Sequence, residues 1–537
     1  MRSRLPSAKN APSEEVALIH RPLRTNRHVA ALLSALWPGL GHFAIGARRT
    51  GILLALPPLV LVALAVGALA SPDRMSRLAL LLNPDVIGVV LLAEAAFLAW
   101  RLAAFVDAFR RGSGRARERG AALSAIGLVF VLVPSAYAAY LTDVARQAAL
   151  TVFAPVEQPW QPGVNTPIER DDDFAPLPTE SIPPSPAPEL NRFTVLLIGM
   201  DSGPDRTTAL TDTMIVASLD PVSGSVSMVS VPRDMVDLPL PDGRVFRPKV
   251  NSLVAYANLY PDRFPGATSG QAVLAAGLGK LLNVRIDGWA QVNLPGFVRV
   301  IDAIGGIDVT VRKSFCDARY DEYGFNGFAI DPGRYHLDGE GALAYARIRK
   351  AIGENDFTRA ARQGEIVVAA RDQVVDGGFL NDPTGFIDSM GELVTTSLEP
   401  SALGEYLDDA ATIKRDHVYR AVITYPLVHG GSNDPRGSIL IPRLPQIREL
   451  AAQAFPQAGT LPVGLETIPE ESDGPAKKRL PAVTCYEAPN PPKVTPKPTA
   501  APTAAPAPTD EPEPTAEPEP TPEPTAPPPD PTEPPPT

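Results

Sequence analysis

Four apolar segments near the start of the chain constrain its fold more than any other feature. They lie near residues 29–45, 51–70, 86–106 and 121–141. A helix needs about 20 apolar residues to cross a bilayer, and the last three segments reach that length. The first is shorter and is interrupted by Trp37-Pro-Gly-Leu-Gly-His42. No short apolar core with a small-residue cleavage site precedes them, so the sequence does not predict a cleaved signal peptide.

Basic residues flank these segments and predict their orientation. The tail 1–28, the pair Arg48-Arg49 and the stretch 110–120 are basic, and such stretches favour the cytoplasmic side. Three full spans with a re-entrant or interfacial first segment satisfy all three stretches. That arrangement places the chain after about residue 142 outside the membrane. Four full spans, with the N-terminal tail outside, remain the alternative.

Proline content divides the rest of the chain. The 537 residues include 61 prolines, and the chain is too long for one ordinary domain. We predict a basic cytoplasmic tail at 1–28, a membrane region at 29–145, a Pro-rich acidic linker at 146–191, a globular domain at 192–456, a C-terminal extension at 457–487 and a Pro/Thr/Glu-rich tail at 488–537. The linker is expected to be a spacer without its own core, and the last tail is expected to be disordered.

Apolar runs alternate with amphipathic stretches inside the globular domain. We predict strands at Phe193–Gly199, Met214–Leu219, Val226–Val231 and Ile307–Val311, and helices at 269–283 and Phe297–Ile304. Gly305-Gly306 ends the second of these helices. The predicted class is α/β or α+β, with a central β-sheet flanked by helices.

Charge and cysteine content exclude several classes of protein. The net charge is −11, which argues against a nucleic-acid-binding protein, because such proteins carry a basic face. The two cysteines, Cys316 and Cys485, have no CxxC spacing and do not predict a metal site. Both fall outside the membrane in the predicted topology, where a disulfide between them is permitted. Two unrelated buried thiols are the alternative.

Four arginines within one short stretch point to an anionic ligand. Arg347 and Arg349 are followed by Arg359 and Arg362, which are three residues apart and share a face if the stretch is helical. Guanidinium groups bind phosphate oxygens bidentately. The alternative is a solvated helix face with weak ion pairs.

Several aspartates lie at positions where an aspartate can either bind a cation or serve as a turn or helix-capping residue. Asp201 follows the first predicted strand and Asp212 precedes the second, so two carboxylates could hold Mg²⁺ together with phosphate oxygens. On spacing alone, turn and capping roles are more frequent for such residues. Asp338 and Asp356 are predicted to cap the helices that follow them.

Nine short motifs in a fixed order give the strongest functional signal. They are Leu196–Asp201, Thr211–Met214, Val231–Asp234, Lys249–Asn251, Gly305–Asp308, His336–Gly339, Ala342–Arg349, Asp356–Arg359 and Arg362-Gln363. This order resembles the LytR-CpsA-Psr family over roughly residues 192–456, and none of the motifs is specific by itself.

The resemblance implies an enzyme of a bacterial cell membrane whose catalytic domain faces the cell wall, and the apolar segments predict that this chain is multi-pass. Members of that family transfer glycopolymers such as teichoic acids from a polyprenyl-pyrophosphate carrier to peptidoglycan. The implied partners are therefore a polyprenyl-pyrophosphate-linked glycopolymer, peptidoglycan and membrane lipid, with no nucleic acid. The implied cofactor is Mg²⁺ or Mn²⁺.

The matching motifs also imply roles for individual residues. Asp201 and Asp212 correspond to the metal-linked aspartates. The pyrophosphate would be bound by Arg233, Lys249, Arg347, Arg349, Arg359, Arg362 and Gln363, and the catalytic group would comprise Asp234, Arg233, Arg347 and Arg349. Such a site performs phosphoryl transfer mainly by positioning and charge stabilisation.

The chain departs from the family pattern in two places. The family usually carries an arginine within two residues of the first aspartate, whereas Asp201 is first followed by an arginine at Arg206. The family also commonly has one membrane helix. Two other functions remain open on sequence alone. A polyprenyl-pyrophosphate phosphatase would use the same site, and a non-enzymatic wall-binding scaffold would not need it.

A polyprenyl chain requires a long apolar pocket. Candidates for its lining are Phe297, Val298, Ile301, Ile366 and Val367. Ordinary core packing is the more frequent role for each of them.

Overall fold

The computed structural model describes the chain in several stretches. These are residues 25–71, 77, 80, 83–114, 118–153, 160, 172–177, 190–201, 210–322, 325–378, 382, 385–386, 389–391, 394–399, 406 and 408–468. Most of the predicted N-terminal tail, the whole Pro/Thr/Glu-rich tail and Arg206 lie outside them. Cys316 is disulfide-bonded, and its predicted partner Cys485 also lies outside the described residues.

Helices account for most of the described membrane region. They are α1 (Arg27–Leu36), α2 (Leu40–Ala44), α3 (Arg48–Leu69), α4 (Pro84–Arg111) and α5 (Glu118–Val152). The helices α3, α4 and α5 are long and apolar enough to cross a membrane. The shorter α1 and α2 are separated by a turn at Gly39, whose φ of 95° favours glycine. These helices agree with three long spans and an interrupted first segment.

The interrupted segment 25–44 reverses direction. Thr25 Oγ1 at its start donates a hydrogen bond to the carbonyl oxygen of Ala44 at its end, over 2.7 Å. Arg27 N donates to the carbonyl oxygen of Ser113, just beyond the basic end of α4, over 3.1 Å. Both ends of the segment therefore lie beside the basic end of α4, as the predicted re-entrant or interfacial segment requires.

A mixed α/β domain follows, as predicted. Its strands, with β1 in the segment before it, are β1 (Phe174–Pro176), β2 (Phe193–Asp201), β3 (Leu210–Asp220), β4 (Ser225–Ser230), β5 (Leu238–Pro239), β6 (Arg244–Phe246), β7 (Gly288–Asn293), β8 (Ile307–Val311), β9 (Phe315–Asp317), β10 (Phe328–Ile330), β11 (Gly333–Leu337), β12 (Val394–Thr396), β13 (Val418–Val422), β14 (Val428–Asp434), β15 (Gly437–Pro442) and β16 (Glu466–Thr467). Its helices are α6 (Leu253–Leu259), α7 (Gly270–Leu282), α8 (Leu294–Ala303), α9 (Gly339–Arg347), α10 (Asp356–Val375) and α11 (Leu444–Ala454).

The central sheet has the strand order β12-β7-β2-β3-β4-β13-β16 within the described residues. The pairs β7–β2 and β4–β13 are parallel, and the other neighbours are antiparallel. Along β2, Leu196, Ile198 and Met200 are buried in the main core with α7 and α11. Because side chains alternate along a strand, Leu197 and Gly199 face the opposite side of the sheet, where the candidate site lies.

Helix ends follow the predicted signals with one exception. Asp338 caps α9, and α8 ends before the positive-φ pair Gly305-Gly306. The prediction that Asp356 caps α10 is wrong by one residue, because Asn355 is the N-cap and forms a capping box with Thr358. Asp356 is the first helical residue instead, and its carboxylate contacts other groups.

The folded domain includes residues from before the predicted boundary at 192. Trp160 and Phe174, both from the predicted linker, are 2% exposed and belong to the main core. Trp160 Nε1 donates a hydrogen bond to the carbonyl oxygen of Pro265, over 3.1 Å, and β1 pairs with β6. The linker prediction is corrected at these positions. Single aromatic residues among prolines give no periodic pattern that would reveal a core contact.

Replacing one of these aromatic residues tests the correction. Phe174→Ala is expected to lower the free energy of unfolding by about 3–5 kcal/mol, as for other buried phenylalanines. Asp172→Ala, at an exposed position of the same segment, is the control and should change it by less than about 0.5 kcal/mol. Chemical denaturation of the full-length protein in detergent measures both. Equal stability of the two variants would mean that this segment is not part of the folded domain.

Candidate functional site

A cavity of about 250 Å³ lies between the central sheet and the helices α8, α9 and α10. Most of its lining is apolar, and its charged lining residues are Asp212, Arg347 and Arg359, with Gln363 beside them. A cavity of this kind suits an amphiphile that has an apolar chain and an anionic group.

Three of the five candidates for an apolar pocket line this cavity. They are Phe297, Ile366 and Val367. Ile301 lies in a separate core cluster, and Val298 is not in contact with the cavity. The helical period alone did not separate the cavity face of α8 from its core face, because both are apolar.

A β-bulge positions Asp212 at the cavity. The pairing of β2 with β3 shifts from Gly199 opposite Thr213 to Met200 opposite Thr211, so Asp212 is the extra residue of β3. A bulge redirects a side chain that regular alternation would turn elsewhere. Asp212 and Thr213 both line the cavity as a result.

Arg233 links Asp212 to the rest of a charged cluster. Its Nη1 lies 2.7 Å from Asp212 Oδ1, and its Nε lies 3.8 Å from Asp234 Oδ2 and 3.9 Å from Asp356 Oδ1. Burial alone lowers the pKa of Arg233, but the charges of the three carboxylates, with Asp212 first, outweigh burial and raise it. Arg233 therefore remains a cation.

Asp356 belongs to the candidate site, although the sequence predicted it only to cap the helix that follows. Its Oδ1 lies 3.1 Å from Arg359 Nη2 and 3.6 Å from Arg349 Nη1, in addition to its contact with Arg233. Arg359 is 5% exposed; burial and then repulsion from Arg233 lower its pKa. Asp356 and Arg359 are three residues apart, and this spacing on a helix favours an ion pair. A capping role, however, explains the aspartate equally well from the sequence alone.

Arg347 brings Asp201 into the same cluster. Its Nη2 lies 3.7 Å from Asp201 Oδ1, and its Nη1 forms an ion pair with Glu322. The helix α9 ends at Arg347, and the extended backbone at Ile348 carries Arg349 to the cluster. The two-residue spacing of these arginines is therefore compatible with one site.

Lys249 and Gln363 complete the predicted set on this side of the domain. Lys249 Nζ donates a hydrogen bond to Asp234 Oδ1, over 2.7 Å. Gln363 lines the cavity, and its Nε2 lies 3.4 Å from the carbonyl oxygen of Ala346. Both are close to the arginines that the sequence grouped with them.

Arg362 is held away from the cavity. Its Nε donates a hydrogen bond to the carbonyl oxygen of Tyr345, over 2.8 Å, its Nη2 donates to that of Ile348, and its Nη1 pairs with Glu354. The guanidinium carbon also lies 4.7 Å from the centre of the Phe315 ring. These contacts fix the connection between α9 and α10, so the geometry gives Arg362 a structural role.

The ion pairs around the cavity join cationic and carboxylate side chains within the part of the chain that the structure describes. The cations are Arg233, Lys249, Arg347, Arg349 and Arg359, and the carboxylates are Asp201, Asp212, Asp234, Asp356 and Glu322. Opposite charges therefore stabilise each other at this site.

The donor set is compatible with a divalent cation. Among the residues that the structure describes, no three or more His, Cys, Asp or Glu side chains form a metal site by themselves. Mg²⁺ commonly takes one or two carboxylates and completes its octahedron with water and phosphate oxygens. Asp212 lines the cavity and Asp201 lies 3.7 Å from Arg347, which also lines it, so both carboxylates are of the type that Mg²⁺ binds and lie on the cavity side of the domain.

Comparison with known proteins identifies the domain. A model of the LytR_cpsA_psr family matches residues 171–438. The chain carries a LytR-CpsA-Psr domain. The match begins before residue 192, in keeping with the contribution of β1 to the fold.

Curated proteins and a solved structure are similar to parts of this chain. The polyisoprenyl-teichoic acid–peptidoglycan teichoic acid transferase TagU of Halalkalibacterium halodurans is 31% identical over 214 residues, covering 40% of this chain and 63% of that protein. TagU of Oceanobacillus iheyensis is 27% identical over 256 residues, covering 46% of this chain and 71% of that protein. The match thus spans less than two thirds of the first relative. The structure of TagT bound to LIIa-WTA is 21% identical, with a TM-score of 0.39, over 50% of this chain and 91% of that one.

Two arginine variants separate ligand binding from loop stability. Arg359→Gln is expected to weaken the binding of inorganic pyrophosphate with Mg²⁺ by about tenfold or more, because a hydrogen bond to a charged group contributes about 1.5–3 kcal/mol. Arg362→Gln leaves the buried Glu354 without its cation, and is expected to lower the free energy of unfolding by about 3–5 kcal/mol.

Isothermal titration calorimetry and chemical denaturation of the full-length protein measure the two effects. Arg359→Gln serves as the stability control for Arg362→Gln, because Asp356 keeps Arg233 and Arg349 as partners. A stable Arg362→Gln protein that loses pyrophosphate binding would contradict the structural role of Arg362.

Proposed function

We propose that this protein is a membrane-anchored phosphotransferase that moves a glycopolymer from a polyprenyl-pyrophosphate carrier to peptidoglycan. The observation that carries the proposal is a cavity whose lining is mostly apolar and also includes Asp212, Arg347 and Arg359. The LytR-CpsA-Psr domain and the naming of its relatives as teichoic acid transferases support the same conclusion.

The arginines would bind the pyrophosphate where charged residues line the cavity. Arg347 and Arg359 line the cavity itself, while Arg233 and Arg349 approach from the Asp356 side. Fixed cations stabilise the charge that develops on the phosphoryl oxygens and on the leaving phosphate, with no reorganisation during the reaction. The apolar chain would lie along Phe297, Ile366 and Val367.

The transfer forms one bond and breaks one. A hydroxyl oxygen of a peptidoglycan sugar attacks the sugar-side phosphorus, and polyprenyl phosphate leaves with the bridging oxygen. We assign Asp234 as the group that accepts the hydroxyl proton. Its Oδ1 accepts a hydrogen bond from Lys249, and its Oδ2 lies 3.8 Å from Arg233, so the carboxylate is held beside the cations. Arg233, Arg347 and Arg349 complete the proposed catalytic group.

A divalent cation, Mg²⁺ or Mn²⁺, would be held by Asp201 and Asp212. It would supply charge neutralisation and polarise phosphoryl oxygens. Asp212 would exchange its contact with Arg233 for the metal, which leaves Arg233 to bind a phosphate oxygen.

The proposed location of this reaction is the outer face of a bacterial cell membrane. The start of α3 and the ends of segment 25–44 are basic or lie beside basic residues, whereas α5 leads from Glu118 to the domain. With the basic ends in the cytoplasm, an odd number of spans puts the domain on the side of the cell wall.

A reconstituted assay tests the function. Full-length protein in detergent would receive a polyprenyl-pyrophosphate-linked glycan, peptidoglycan oligomers and Mg²⁺. We expect release of polyprenyl phosphate together with a sugar-phosphate adduct on the oligomer, detected by mass spectrometry. Arg347→Ala is expected to lower kcat/KM about 100-fold or more. Arg285→Ala removes an arginine whose side chain is 72% exposed and is the matched control.

Other outcomes identify the two alternatives. Release without an adduct would indicate a polyprenyl-pyrophosphate phosphatase. Binding to peptidoglycan without any release, unchanged in Arg347→Ala, would indicate a wall-binding scaffold.

Metal removal tests the cofactor. Chelation with EDTA is expected to abolish release, and added Mg²⁺ or Mn²⁺ should restore it. Asp212→Asn is expected to raise the Mg²⁺ concentration for half-maximal activity by about tenfold or more, since a charged ligand is lost. Full activity in EDTA, or an unchanged Mg²⁺ requirement in the variant, would remove the cation from the proposal.

A further inference from the structure

The end of α5 is joined to one edge of the central sheet. Phe153, directly after α5, forms a parallel bridge with Thr396 of the edge strand β12. A Cβ atom at Gly391 would lie only 2.7 Å from both Cα and Cβ of Ala148, so the two backbones are in close contact. Ala149 and Val152, in the last turn of the helix, are 4% and 6% exposed. This group of contacts is called the α5 joint below.

The α5 joint lies a short distance above the predicted membrane. The helix has 35 residues, and about 20 of them cross a bilayer. The basic end near Glu118 marks one membrane surface, so the helix leaves the other surface near residue 142. The remaining turns up to Val152 rise about 15 Å. The edge strand β12 is therefore held close to the lipid surface, in one orientation.

The floor of the cavity begins at this edge strand. One row of paired residues runs across the sheet from Val394 in β12 to Val292 in β7, Gly199 in β2 and Thr213 in β3. All four residues line the cavity. Since neighbouring strands lie about 4.8 Å apart, the row spans about 14 Å. Its far end is next to Asp212, at the charged cluster.

The next row on the same face of the sheet lies two residues along each strand and repeats the arrangement. It runs from Thr396 through Ala290 and Leu197 to Ile215. The last three residues line the cavity, and Thr396 is the residue bridged to Phe153. The apolar floor thus leads from the charged cluster directly to the end of the membrane helix.

We propose that the α5 joint and β12 form the entry surface through which a membrane-embedded isoprenoid chain passes from the bilayer into the cavity. The inference rests on the proposed function and adds to it. The membrane helix holds the apolar edge of the cavity within about 15 Å of the predicted lipid surface, so the path of the chain between the bilayer and the cavity is short. The pyrophosphate reaches the arginines while the rest of the chain stays in the membrane.

The length of the isoprenoid chain of the substrate distinguishes an effect on the entry surface from an effect on the arginines. Gly391→Leu inserts a side chain against Ala148 and is expected to displace β12 from the end of α5. Its rate with a long-chain polyprenyl-pyrophosphate glycan in vesicles should fall about tenfold or more. Its rate with a short-chain, water-soluble analogue should stay within about twofold of the wild type, because the arginines are untouched. Gln446→Leu, at an exposed position of α11 on the other face of the sheet, is the control for both substrates.

A pair of cysteines tests the contact between Phe153 and Thr396 without the leucine that Gly391→Leu inserts. Oxidised Phe153→Cys/Thr396→Cys is expected to form a disulfide, identified by peptide mapping, and to keep the long-chain rate. Three results would overturn the inference: no crosslink, a crosslinked protein that loses the long-chain rate, or equal losses on both substrates in Gly391→Leu. A wild-type protein inactive on both substrates would instead reject the proposed function, while the crosslink still reports on the joint.

Discussion

A carboxylate shared among arginines holds the candidate site together. Arg233, Arg349 and Arg359 come from different parts of the chain, and Asp356 lies within 4 Å of all three. Three guanidinium groups at such distances would repel each other without it. Because Asp356 opens α10, the position of this helix on the sheet decides whether the arginines meet. The capping box of Asn355 and Thr358 fixes where the helix begins and so fixes the carboxylate.

The sheet supplies the second constraint, through a single irregularity. Regular alternation along β3 would direct Asp212 and Thr213 to opposite faces. The bulge against Gly199 and Met200 lets both line the cavity. Thr211, one residue earlier, is fully buried and donates a hydrogen bond to the carbonyl oxygen of Asn251, over 3.2 Å. Because Asp212 is the extra residue of the bulge, it lines the cavity while the adjacent Thr211 has a structural role.

Much of this architecture was predictable from the sequence because it depends on local patterns. Continuous apolar runs indicated β2 and β3, and Ser269 and Asn283 bound the helix α7 close to the predicted 269–283. The grouping of Arg347, Arg349 and Arg359 was also predictable from their closeness in sequence, whereas only the order of the motifs joined Asp201, Asp212 and Arg233 to them. No single spacing would have distinguished Asp212 from a turn residue.

The sequence fails where long-range contacts decide the outcome. Arg359 and Arg362 differ little in local pattern, but one lines the cavity and the other binds the backbone at Tyr345 and Ile348. Trp160 and Phe174 appear isolated among prolines, and their burial depends on partners about 70–100 residues away, such as Pro265 and Phe246. Such partners leave no periodic trace in the sequence near the residue itself.

The continuity of α5 has a mechanical consequence. One helix of 35 residues both crosses the predicted membrane and pairs, through Phe153, with the edge of the sheet. Spanning helices adjust to bilayers of different thickness by tilting. Pro134 lies inside this helix, at a position where helices commonly bend, and the contact with β12 lies beyond it. Any tilt that passes Pro134 would rotate the domain above the lipid, so bilayer thickness would contribute to the angle at which the domain faces the cell wall.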